Sequence, residues 1–194
     1  MPSRAETQER NRRALIAAAI DLIAAQGYRA ASVEAIAAKA DLTTGAVYSA
    51  FGGKRQLFLA AIEHCRAEQP LDLSGSTPVE VLRRFGAAMA SIGSTSDARR
   101  LFRFEAELAP LMLHDRVFAQ RLDADPIVSA LTDALVSTGV AQQDAERVAM
   151  SAAALARGLL QQWLLRDAEV DAALVTTACA SLAGLLELVG PGGL

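Results

Sequence analysis

Residues 43–54 read TTGAVYSAFGGK, and their types and spacing set the chemistry to be explained. Thr44, Gly45, Ala46, Tyr48 and Ser49 are small or hydrogen-bonding and fall on one side of a short helix. They suit close approach to base edges and phosphates. Val47 and Phe51 alternate with them as an inward apolar face. Tyr48 stands four residues after Thr44, on the outer side. Its hydroxyl reads as a phosphate contact, with a core aromatic showing its hydroxyl at the surface as the alternative. Lys54 opens the next helix, where a cation faces the positive end of the helix dipole. A nearby phosphate would resolve that conflict, and a solvated lysine is the plain alternative. Catalytic chemistry has far less to work with. His64 and His114 are the two histidines, and no Ser/His/Asp set, metal-spaced cluster or phosphate loop accompanies them. His64 and Cys65 are adjacent on a helix, so their side chains diverge. The expectation is no enzyme, no catalytic residue, no metal and no cofactor.

The elements that must position this chemistry form a helix-turn-helix over residues 32–51. Ser32 caps a helix that ends near Lys39. Ala40, Asp41 and Leu42 make the turn, and Thr43 caps a second helix that ends at Phe51, before Gly52 and Gly53. Val33, Ile36 and Ala37 give the first helix an apolar edge, and Leu42 plugs the turn. The second turn position wants φ > 0, which aspartate tolerates better than most residues. Two short helices so spaced place one of them in the major groove of DNA.

The rest of the chain reads as helical. Of its 194 residues 52% are apolar, alanine and leucine dominate, and β-branched runs are lacking, which favours an all-α protein of about nine or ten helices. The first helix is expected over about 7–26, ended by Gly27. A helix from Lys54 stops before Pro70. Thr77, Pro78 and Glu80 mark the next start, with Glu80 reaching back in a capping box. The helix from about Asp97 is expected to break or kink at Pro110. Asp125 and Pro126 open another that ends at Gly139. Long helices over about 144–166 and 168–189 complete the chain. A basic head precedes an acidic body: nine Lys/Arg stand against six Asp/Glu up to Arg66, and ten against sixteen from Ala67 on. That distribution suits one end that meets phosphates. Arg99, Arg100 and Arg103 read as a solvated face rather than an anion site. No apolar run reaches the length of a membrane span, the charged start is unlike a signal peptide, and Cys65 and Cys179 are isolated. These features point to the cytoplasm and to no membrane partner.

The pattern Gly27-Tyr28, Ser32-Val33, Ile36-Ala37, Ala40, Leu42, Gly45, Val47-Tyr48, Phe51, Lys54 and Leu57 resembles the TetR family of bacterial transcriptional regulators. It covers about a third of the chain. Asp41 and Ala50 depart from the family pattern, which often has glycine and a histidine or larger aromatic there. The resemblance implies a DNA-binding domain over 9–69 and a ligand-binding and dimerisation domain over 70–190. Ser32 and Val33 then look like backbone contacts, Thr43, Thr44, Gly45, Ala46 and Ser49 like the groove-facing set, and Tyr48 and Lys54 like phosphate contacts. No phosphate contact is assigned to the acidic Glu34. The implied partners are a palindromic operator in double-stranded DNA and a small-molecule effector of unknown identity. A second copy of the chain is expected to pair through the last two helices, whose small residues allow close contact, an intramolecular core being the alternative. The Met and aromatic residues of the middle helices are read as core or, with the resemblance, as the wall of an effector pocket. Phe85, Met89, Phe104, Glu105, Met112, His114 and Trp163 are its candidate residues. The expected function is that of a homodimeric repressor released from its operator by a small hydrophobic ligand. The alternative is a DNA-binding regulator, activating or architectural, with no effector.

Overall fold

The computed structural model describes residues 3–67, 71–95, 97–114 and 125–188, all helix, turn or loop, with no strand among them. Residue contacts divide the chain into two units, Met1–Glu68 with Arg99–Asp123, and Gln69–Ala98 with Ala124–Leu194. We call them the head and the body.

The head is built on α1 (Arg4–Gln26), α2 (Val33–Lys39), α3 (Thr44–Phe51) and α4 (Lys54–Ala67). Each of the first three begins on a hydroxyl that takes up an orphan amide. Ser3 and Glu6 form a full capping box on α1. Ser32 accepts from the Ala35 amide at 3.1 Å, and Thr43 from the Ala46 amide at 3.3 Å. Asp41 sits at φ 56°, the left-handed value expected for the turn, and Gly52 closes α3 at φ 78°. Leu15, Ala19, Ile23, Ile36, Val47, Leu57 and Phe58 are fully buried as one core. A further helix, α6 (Ala98–His114), packs on this core from Arg99 onward and places Phe104 at its centre. A single cut at residues 69–70 would put α6 in the body; by contact it is part of the head.

The body holds α5 (Pro78–Gly93), α7 (Pro126–Ser137), α8 (Gln142–Arg166), α9 (Ala172–Ser181) and α10 (Gly184–Leu188). Val81, Leu82, Phe85, Leu131, Leu135, Ala149, Ala152 and Val175 form its interior. The closest approach is between α5 and α9. A Cβ on Gly86 would stand 2.8 Å from the Thr176 Cα and 2.9 Å from the Val175 carbonyl oxygen, so only glycine lets the two backbones meet. Cys179 is buried beside this seam, and desolvation pushes its thiol up to about 11.

Three local expectations need correction. The helix expected over 168–189 is two helices. It starts later because the Asp171 carboxylate takes the Leu174 amide at 2.9 Å, capping α9. It breaks because Leu182 and Ala183 bond three residues back, to Cys179 and Ala180, which tightens the chain into a turn before Gly184. The helix from Ala98 does not break at Pro110 but continues to His114; a proline removes one donor from the ladder, and that single loss does not end α6. At the start of α5, Thr77 caps as expected, but Glu80 does not reach back to it. Its carboxylate takes the amide and hydroxyl of Ser76, each at 2.8 Å, one residue too early for a capping box.

Candidate nucleic-acid interface

The outer face of α3 is formed as the alternation of residues demands. Thr43, Gly45, Tyr48 and Ser49 are exposed, Thr44 and Ala46 half-buried, and Val47 fully buried. Tyr48 is 56% exposed, which removes the reading of it as a core aromatic. The Thr43 cap uses a lone pair, so its hydroxyl proton stays available to an oxygen of DNA. Ser32 is half-buried, and its hydroxyl is also a neighbour of Glu34. The Glu34 carboxyl lies below the usual carboxylate range because its own backbone amide and then the Ser32 hydroxyl hydrogen-bond to it. A phosphate at Ser32 therefore has to meet a carboxylate already in place. Val33 is buried in the head core, so any contact from it to DNA runs through its backbone.

Lys54 departs furthest from expectation. Its ammonium donates to the Tyr28 carbonyl oxygen at 2.7 Å. It also lies 4.5 Å from the Tyr28 ring centroid and 5.5 Å from that of Phe58. The two rings are themselves 4.6 Å apart and tilted. Two π-faces and a carbonyl thus offset the unfavourable end of the α4 dipole, with no phosphate required. Desolvation in this half-buried seat pushes the lysine pKa down. The conflict with the dipole is met inside the head, by a route that neither the phosphate nor the solvated reading named.

Other residues hold the interface without having been read so in the sequence, and Arg100, read there as part of a solvated face, is half-buried and paired. Asp21 on α1 accepts from Arg100 of α6 at 2.6 Å and faces Lys39, the last residue of α2, at 3.3 Å. Glu107 of α6 accepts from the Tyr28 amide at 3.3 Å. The Asp21–Arg100 and Tyr28–Glu107 partners are each separated by 79 residues, so no local pattern points to them. Arg12 lies over the Phe51 ring, 4.8 Å from its centroid. A signal for it existed, since Arg12 precedes Leu15 by three residues on the same helix face.

The candidate effector residues fall in both units. Phe85 and Met89 are buried in the body core, and Trp163 is half-buried against it. Phe104 is buried in the head core instead, where packing claims the ring. Glu105 is an exposed residue of α6. Met112 and His114 lie on α6, with side chains outside the described residues. The body does have an open groove of about 550 Å³, lined by Ser74, Gly75, Ser76, Glu80, Arg83 and Arg84. It contains none of the expected residues. Among the described residues no group of His, Cys, Asp and Glu could hold a metal ion, and no helix is long and apolar enough to cross a membrane.

Residues 15–61, which carry this head, match the family model described as bacterial regulatory proteins of the tetR family. The head thus carries a DNA-binding domain of the tetR type. Solved structures share the fold of the chain over nearly its whole length. A TetR-family member from Streptomyces coelicolor A3 is 20% identical, with a TM-score of 0.68, over 89% of this chain and 97% of that one. NalD, the secondary repressor of the MexAB-OprM multidrug efflux pump in Pseudomonas aeruginosa, is 24% identical, with a TM-score of 0.59, over 94% and 96%. The multidrug-binding protein EbrR, solved with proflavin, is 19% identical, with a TM-score of 0.60, over 89% and 99%. No curated protein matches the chain in sequence.

Proposed function

We propose that this chain is a TetR-family regulator, a homodimeric repressor, acting in the cytoplasm, that leaves a palindromic operator when a small hydrophobic ligand binds. The observation that carries the proposal is the docking of α6. This helix follows the body's α5 in the chain, yet it is held in the head by the Phe104 ring, the Arg100–Asp21 pair and the Glu107–Tyr28 bond. Asp21 continues the path to Lys39 at the end of α2. A ligand that prefers a different position of α6 therefore alters the helices that present α3, and by linkage DNA and ligand weaken each other equally. NalD is a repressor and EbrR binds proflavin, and both share the fold.

Pairing of two copies through α8 and the α9–α10 segment is supported by what those helices leave uncovered. Met150, Leu165, Leu174 and Leu185 are among the exposed large apolar residues. Among the described residues, Gly158 and Gly184 have no atom of another element within 4 Å of where a Cβ would sit, which leaves room for another backbone. In this reading Thr43, Thr44, Gly45, Ala46 and Ser49 face the groove, while Tyr48 and the start of α2 meet phosphates. Lys54 reaches a phosphate only with the N–H groups that Tyr28 leaves over. Thr44→Ala then changes base preference at one position, by about 1–3 kcal/mol. Equal weakening on every operator variant would remove Thr44 from the base-reading face.

A regulator without an effector is the second reading. It is favoured by the burial of Phe85, Met89 and Phe104, whose side chains are engaged in packing. Titration of the purified protein on DNA from upstream of its own gene, with and without proflavin and a panel of apolar amines, separates the two. A salt-sensitive, palindrome-specific complex that ligand dissolves supports the repressor. A complex indifferent to every compound favours the second reading, and no specific complex sinks both.

A further inference from the structure

Helix α1 starts at Arg4, yet its first buried residue is Leu15. Residues 3–10 are exposed apart from the half-buried Thr7, and still they form regular helix behind a complete capping box. The stretch contributes no buried side chain to the head core, so burial does not account for it. Its position on the helix is informative. Ile23, Ala19 and Leu15 make a fully buried stripe, and the same stripe continues upstream at helical spacing through Arg12, Gln8 and Arg4. Where the core ends, Arg12 covers Phe51, the residue that closes α3. Beyond it the stripe overhangs. At 1.5 Å per residue Arg4 stands about 12 Å past Arg12, a distance close to the width of the major groove.

The charge on this overhang is committed in a telling way. Its two acidic residues act within the helix: Glu6 takes the Ser3 amide at 2.6 Å, and Glu9 pairs with Arg13 at 2.9 Å. Arg4 is exposed on the stripe and faces neither of those pairings. Residues 3–13 contain a single apolar side chain, Ala5, so the surface offers little to a protein partner. It is basic, polar and continuous with the end of the recognition helix.

We propose that the N-terminal overhang of α1 is a second DNA contact, in which Arg4, Gln8 and Arg12 hold backbone phosphates flanking the half-site that α3 reads. This rests on the regulator reading of the head and adds a contact outside the helix-turn-helix. Phosphate contacts of this kind position the head without reading sequence, and they release counterions.

The test uses duplexes that the purified full-length protein selects from a random-core library. They are made either with ends flush to the half-sites or with a full helical turn of flanking DNA on each side. Wild-type protein should bind the flanked duplex more tightly and with a steeper salt dependence than the flush one. Arg4→Gln should lower the slope of log K against log salt by about 0.9 for each phosphate no longer neutralised, on the flanked duplex alone. Arg4→Lys should restore it, and Gln8→Glu should weaken flanked binding further. Arg13→Gln removes the same charge from a residue already paired with Glu9 and should leave the slope unchanged. A wild-type slope for Arg4→Gln on flanked DNA overturns the proposal, and so does an equal drop for Arg13→Gln, which would reduce the effect to net charge. If the wild-type protein selects no sequence at all, the regulator reading falls and this contact falls with it.

Discussion

The head and the body are both packed helices, but they treat their surfaces in opposite ways. In the head, many polar side chains at or near the surface have defined partners. Ser32 and Thr43 cap helices, Asp21 joins Arg100 and Lys39, and Lys54 is enclosed by Tyr28 and Phe58. In the body, Met150, Leu165, Leu174 and Leu185 stand exposed on the last helices, with bare glycines among them. A surface built to meet a charged polymer needs hydrogen-bonding groups held at fixed places, because geometry gives it register. A surface that meets its own copy, as proposed for the body, needs apolar area and low relief. The same class of fold serves both ends, and side-chain chemistry separates the tasks.

The sharpest way to break this division is at α6, which leads from one region into the other. Phe104→Ala should cost the head about 3–5 kcal/mol, seen as weaker hydrogen-exchange protection in α1–α4. If protection fell in α8 and α9 instead, the assignment of α6 to the head would fail. Next in size is Gly86→Ala, which forces α5 from α9 in the body for about 1–3 kcal/mol. Thermal unfolding should record the destabilisation, while the affinity of the folded protein for DNA stays the same. Failure of operator binding at full folding would mean that the α5–α9 seam also shapes the head. Lys54→Gln removes the ammonium from its rings and carbonyl and should lower head stability by about 0.5–2 kcal/mol, measured by denaturant titration without DNA. Unchanged stability would return Lys54 to the role of a lysine waiting for phosphate. The smallest effect is expected at Asp21→Asn. Its partners are partly exposed, so stability should shift by no more than about 1 kcal/mol, and that shift should shrink as salt rises. A large, salt-independent destabilisation would mark Asp21 as a core contact rather than a link between helices.

Much of the head is legible in the sequence. Helix caps, a left-handed Asp41 and the inward placement of Val47 follow from local rules, since each concerns residues within four positions of one another. Those same rules locate Thr77 and Asp125 as caps in the body. They fail where two local signals compete. Glu80 had a choice of amides and took Ser76. The last helix had no strong internal stop, and three-residue hydrogen bonds at Leu182 and Ala183 ended it. The split of the effector candidates between two cores was hidden for a different reason. Phe85 and Phe104 look alike in sequence, and nothing near either one states which core will claim it.

The sequence by itself determined the tetR-type head, the all-helical class and the residues that α3 turns outward, because periodicity, capping and turn chemistry act over short distances. Tertiary structure alone decided that α6 docks on the head, that Tyr28 and Phe58 hold Lys54, and that Asp21 ties α1 to both α2 and α6. The Lys54 and Arg100 bonds among these join groups 26 and 79 residues apart in the chain. A charge with several chemically suitable partners is assigned to one of them by packing, and packing is settled only when the whole core forms.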